Sequence, residues 1–190
     1  MKDSYTLPNG VLRNRLGLTD PALLQVAESD ITRVRLLGLA SRPLAGSYDL
    51  VHLCAFHTAI FGMLYDWAGQ LRTVEIAKGS SAFCRVAQLE AYAGEVFGRL
   101  AAERYLRGCT RDQLVAGLAE LYGDLNALHP FREGNGRTQR AFLSQLAQDA
   151  GYLLDWSGLD ACQNEEASIR SFVGDNGPLL GMISGRVSPL

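Results

Sequence analysis

Two stretches of helical apolar periodicity meet at a short run of glycines and charges, and this junction constrains the fold more than any other part of the chain. Leu118, Leu121, Tyr122, Leu125 and Leu128 recur at the spacing of a helix that buries one face. Pro130 helps end that helix at His129, because the residue before a proline is pushed out of the α region. Phe142, Leu143 and Leu146, with Tyr152 beyond, supply the apolar side of a second helix starting near Gly136. The spacing therefore predicts a helix–loop–helix junction at residues 129–140.

The chemistry of the loop can be read group by group. Gly134 and Gly136 have no Cβ, so the chain can turn sharply and aim successive N–H groups into one concavity at a helix N-terminus. Such a cup binds anions. Arg137 and Arg140 lie three apart on the following helix and offer forked donors for phosphate oxygens. Asn135 adds a neutral amide donor. Glu133 is the only carboxylate in the loop and suits a magnesium ion shared with a ligand's phosphates better than an all-protein cage. These groups predict a site for a nucleoside triphosphate with Mg²⁺. His129, at the rim, can take a proton from an incoming hydroxyl, since unperturbed histidine titrates closest to neutrality.

With 190 residues and 47% hydrophobic content, the chain is long enough for one well-buried core, and one domain over 1–190 is expected. A net charge of −2 and no Lys/Arg run give no electrostatic footprint for nucleic acid. No apolar run reaches the length of a membrane span, and Asp3, Pro8 and Arg13 interrupt any leader-like stretch, so a cytoplasmic protein is expected. Cys54, Cys84, Cys109 and Cys162 are scattered without metal-ligand spacing and read as reduced packing residues.

Residues 1–18 read as an ordered arm. Thr19-Asp20-Pro21 then opens a helix whose buried face is expected to be Leu23, Leu24, Ala27, Ile31, Val34 and Leu37. A second helix from near Asp49 carries Leu53, Phe56, His57, Ile60, Phe61 and Leu64, and its His52 and His57, lacking nearby carboxylates or glycines, read as structural. Thr73, Val74 and Ile76 are strand formers, Lys78-Gly79-Ser80-Ser81 reads as a turn, and Ala82 to Val86 returns, predicting a hairpin over 72–86. Helix follows from Gln88 through Tyr105. Thr110 and Gln113 form a capping box for the helix that leads to His129. Further helical segments begin near Ser157 and near Asn176.

The run from His129 to Arg140 resembles the signature of Fic-domain proteins, matching it at His129, Phe131, Glu133, Gly134, Asn135, Gly136, Arg137 and Arg140. Independently, Trp67-Ala68-Gly69 with the following Arg72 is similar to the segment that precedes the β-hairpin flap in that family. The resemblance covers nearly the whole chain. It implies an all-α Fic fold, a compact helical bundle with a small β-hairpin flap beside the active-site loop. It also implies transfer of AMP from Mg-ATP to a Ser, Thr or Tyr hydroxyl of a target protein. By this resemblance His129 is the general base, Glu133 holds Mg²⁺, and Gly134, Asn135, Gly136, Arg137 and Arg140 hold the phosphates. Phe131 is the structural anchor, and Thr73, Val74, Glu75, Ile76, Ala77, Lys78 and Gly79 dock target segments by strand addition.

Many members are restrained by a glutamate from a Ser/Thr-x-x-x-Glu-Gly/Asn motif that pairs with the arginine at the position of Arg140. No such motif occurs here; the nearest approach, Ser171 to Asp175-Asn176, has a shorter carboxylate and Gly174 before it. The resemblance therefore implies a separate small antitoxin supplying that glutamate. It also points to DNA gyrase and topoisomerase IV subunits as targets. The alternatives are transfer of another nucleotidyl or phospho group, or a nucleotide-binding module without catalysis. Gly136 favours nucleotidyl transfer, since kinase-like relatives carry lysine there. A dinucleotide-binding reading fails because Gln139 stands where a third glycine is required and a helix precedes the loop.

Overall fold

The computed structural model describes residues 3–78 and 81–190. Helix α1 (Pro21–Ser41) starts where Asp20 accepts from the N–H groups of Ala22 and Leu23, with proline at its first position. Asp49 caps α2 (Leu50–Phe61) through the His52 N–H. A two-residue strand pair, β1 (Ala77–Lys78) and β2 (Ser81–Ala82), precedes α3 (Leu89–Ala102). The capping box of Thr110 and Gln113 forms and opens α4 (Arg111–Leu128). After the loop come α5 (Asn135–Asp149), β3 (Tyr152–Leu154), α6 (Ala161–Phe172), α7 (Gly177–Ser184) and β4 (Val187–Pro189), which pairs antiparallel with β3. The chain is thus predominantly helical, with two small antiparallel strand pairs among the described residues.

Helix α4 is the axis of this arrangement. Leu114, Leu118, Leu125 and Leu128 are fully buried, and α3, α5, α6 and α7 pack around it. Because its partner α5 also buries Phe142, Leu143 and Leu146, the loop between them is held at both ends by core contacts. A second cluster of Ile60, Phe61, Leu64 and Tyr65 fills the space beneath α1.

Two expectations need correction. Leu24 of α1 is buried and Ile31 packs on the second cluster, but Leu23, Val34 and Leu37 are 59%, 67% and 65% exposed. Polar contacts turn the helix: Glu28 and Thr32 point inward to Arg137 and Tyr65, which places Leu23, Val34 and Leu37 outside. The predicted strand at Thr73–Ile76 also does not form; pairing begins only at Ala77. The backbone there is claimed by other partners, since Thr73 N–H donates to the Tyr5 hydroxyl and Val74 C=O accepts from Arg72. Gly79 and Ser80, expected in the turn, lie outside the described residues. The β3–β4 pair was not anticipated. Each strand has three residues, too few for an alternation to register.

Candidate active site

His129 is the last residue served by α4: its N–H donates to Leu125 C=O at 3.0 Å, and its own backbone is left-handed, φ 43° and ψ 59°. Phe131 then turns fully inward, its ring stacked on His57 at 4.0 Å. Asn135 grips that residue from both sides, accepting from Phe131 N–H at 2.9 Å and donating to Phe131 C=O at 2.8 Å. Gly134 makes the final turn at φ 81°, where a Cβ would lie 2.3 Å from the Phe61 ring. No side chain can be added there without moving the core. Helix α5 begins at Asn135, so its first turn faces the space above the loop.

That space is a cavity of about 870 Å³. His129, Glu133, Gly134, Asn135, Gly136 and Arg140 line its floor, and Asn164, Glu165, Ser168, Ile169 and Phe172 of α6 line the opposite wall. Phe83, Tyr122 and Trp156 add aromatic surface, and Trp156 Nε1 donates to Arg140 C=O at 3.1 Å. Phosphate-binding groups below and aromatic faces beside them suit a nucleotide. A second groove runs along Thr73, Val74, Glu75, Ile76 and Ala77 beside Phe83 and Val86. His129, Arg132 and Phe83 line both spaces.

Not every expected residue converges on the cavity. Arg137 faces α1, where it donates to Glu28 at 2.5 Å and Thr32 at 3.3 Å and lies over the Phe61 ring. It also reaches Glu133 at 3.5 Å. Asn135 lines the cavity, but its amide is committed to Phe131. Glu133 accepts from Gly134 N–H at 2.8 Å and keeps 44% of its side chain exposed. Among the described residues no cluster of three or more His, Cys, Asp or Glu could cage a metal. The half-exposed Glu133 carboxylate beside a helix N-terminus fits a magnesium ion whose remaining ligands are water and phosphate oxygens.

His57 is structural, as its helical setting implied, while Arg132 and Arg72 were given no role by the sequence reading. His57 is fully buried: Nδ1 accepts from Gly69 N–H at 2.8 Å, so Nε2 carries the hydrogen and donates to Glu133 C=O at 3.0 Å. Burial lowers its pKa to about 4, and the nearby Arg137 charge adds to this, against the bond to Glu133. Arg132 is held at the junction of the two spaces by Asp3 of the arm, at 2.8 and 3.1 Å. Burial alone would raise the Asp3 pKa, but the Arg132 bond and charge and the Tyr5 N–H bring it below the usual value. Arg72 spans from the flap to the His129 carbonyl. Of the two arginines, only Arg72 left a trace in the sequence, through the Trp67-Ala68-Gly69 segment.

The Fic/DOC family model matches residues 47–147, more than half of the chain. Protein adenylyltransferase VbhT of Bartonella schoenbuchensis is 41% identical over 182 residues, which are 95% of this chain and 38% of that protein. The chain thus spans well under half the length of that relative. The probable protein adenylyltransferase Fic of Salmonella typhimurium is 37% identical over 188 residues, covering 98% of this chain and 93% of its own. Among solved structures, the N-terminal Fic domain of a VirB-translocated Bep effector protein from Bartonella quintana, with bound ADP, superposes with a TM-score of 0.90 at 27% identity. It covers 97% of this chain and 94% of its own.

Proposed function

This chain belongs to the Fic/DOC family, among whose members it resembles protein adenylyltransferases over most of its length, and on that premise we propose that it transfers AMP from Mg-ATP to a Ser, Thr or Tyr hydroxyl of a target protein. One observation carries this reading: His129 lines both the phosphate-floored cavity and the flap groove. A base that serves a transfer between two substrates must stand where they meet. His129 takes the proton of the acceptor hydroxyl as its oxygen forms a bond to the α-phosphorus; the bond to the bridging oxygen breaks and pyrophosphate leaves. Arg140 and the amide at Gly136 receive the phosphates, while the Gly134 N–H is taken by the Glu133 carboxylate. A magnesium ion bound at Glu133 would neutralise part of the triphosphate charge. Arg137, turned to α1, holds the Glu133 side of the loop. Glycine at position 136 supports the nucleotidyl reading over those that need lysine there. Target segments dock along Thr73–Ala77.

We further propose a cytoplasmic toxin restrained by a small antitoxin, with subunits of DNA gyrase and topoisomerase IV as targets. Asp175, the nearest internal candidate for an inhibitory carboxylate, is bound to Arg170 at 2.9 Å and to Gly177 N–H. Among the described residues no carboxylate pairs with Arg140, and the exposed apolar stripe of Leu23, Val26, Val34 and Leu37 on α1 gives a small helical partner somewhere to sit. Incubation with ATP, Mg²⁺ and bacterial lysate, followed by mass spectrometry, tests the activity. An AMP adduct that vanishes in His129→Ala is expected. A wild-type reaction without any nucleotidyl adduct, or an adduct that persists in the variant, would refute it.

A further inference from the structure

Arg72 lies outside the signature stretch, yet it heads the largest fully buried side chains at 1% exposure. Its Nε donates to His129 C=O at 2.9 Å, its Nη1 to Val74 C=O at 3.0 Å, and its Nη2 to Cys84 C=O. Its backbone N–H donates to Pro130 C=O at 2.8 Å. One guanidinium thus holds the residue 129 carbonyl together with both legs of the flap.

Burying that charge costs several kcal/mol unless its bonds replace those lost to water. The carboxylate nearest to it, Glu75 at 3.5 Å, has a side chain 64% exposed, so little of the compensation is ionic. An apolar residue of similar volume would fill the space at lower cost. What arginine supplies instead is a set of directed bonds, and these go to two places only, His129 and the flap.

We infer that Arg72 is a positioning residue for the transfer reaction, fixing the His129 imidazole against the flap that carries the acceptor. This rests on the proposed role of His129. The left-handed backbone at His129 is disfavoured for a residue with a Cβ, so it needs a fixed partner for its carbonyl. Arg72 is that partner. The ring itself is held from the flap side, stacked on Phe83 at 3.8 Å and 17°. Phe83 directly precedes Cys84, whose carbonyl Arg72 also holds and whose N–H is anchored to Ala127 C=O at 2.9 Å. Backbone and ring of His129 are therefore gripped by two ends of one clamp. A displacement near 1 Å between base and acceptor costs on the order of 10²-fold in rate.

The test uses Arg72→Lys, Arg72→Gln and Phe83→Leu in the full chain. Three quantities are read: affinity for a non-hydrolysable ATP analogue by calorimetry, kcat and KM for transfer, and the NMR shifts of labelled His129, assigned by their loss in His129→Gln. The Arg72 variants should bind the analogue within about threefold of wild type while kcat falls by about 30- to 100-fold. The upfield shift that the Phe83 ring imposes on His129 should disappear in all three. Arg72 variants that retain both the shift and kcat would overturn the inference. If both Arg72 variants fail to fold, Phe83→Leu decides, since an unchanged kcat there would equally overturn it. Should wild type transfer no nucleotide, the reading of the activity fails, and the His129 shift still reports on whether Arg72 positions the ring.

Discussion

His57 should give the protein a pH-dependent stability that a single substitution removes. Its neutral ring accepts from Gly69 N–H and donates to Glu133 C=O while stacked between Phe131 and Phe61. A second proton on Nδ1 would oppose the Gly69 N–H. The folded pKa is lowered from 6.5 to about 4, so between these values the unfolded chain binds a proton that the folded chain does not. The contribution is fully present above pH 6.5 and is lost as pH falls towards 4. At about 1.4 kcal/mol per pH unit the full loss is about 3 kcal/mol. His57→Phe keeps the stacking but leaves two buried backbone groups unpaired, at about 1–3 kcal/mol each, so near neutral pH it should be less stable by about 2–6 kcal/mol. Because the variant has nothing to titrate there, the gap between the two proteins should narrow by about 2 kcal/mol between about pH 7 and about pH 4.5. Urea unfolding of both proteins from about pH 7 to about pH 4.5 measures this. Parallel stability curves would show that His57 is not the group responsible.

Three further outcomes follow from the loop and the helix after it. Gly134→Ala adds a Cβ 2.3 Å from the Phe61 ring at φ +81°, combining a left-handed backbone penalty with overpacking, and should lower unfolding free energy by about 2–5 kcal/mol in the same urea assay. Arg140→Ala should raise KM for ATP about 10- to 100-fold through loss of a charge-assisted phosphate contact. Arg137→Ala should instead lower the thermal midpoint by stranding Glu28 in a largely buried pair, and steady-state kinetics beside calorimetry separate the two arginines.

The parts of this molecule legible in its sequence are those set by neighbours along the chain. Capping of α4 by Thr110 and Gln113 and the helix–loop–helix junction depend on residues within a few positions of one another. His57 was read as structural, but its partners were hidden, because Gly69 and Glu133 lie on two loops, the latter 76 residues away, and nothing local marks a helical histidine as their link. Strand propensity at Thr73 and Val74 lost to Tyr5 and Arg72, which claim the backbone bonds a strand would need. Helix α1 carries apolar residues on more than one side, so its face was chosen by Glu28 and Thr32 finding Arg137.

The paired arginines show the limit most sharply. Residues three apart on a helix are neighbours, yet they differ by about 60° around its axis. On α5 that angle is the difference between the cavity, which Arg140 lines, and the carboxylate of Glu28, which Arg137 meets. Asn135 makes the same point, with its amide closing the loop on Phe131. A signature therefore identifies which residues build a site, but the division between groups that touch a ligand and groups that hold the loop is made by elements distant in sequence, here α1 and the flap.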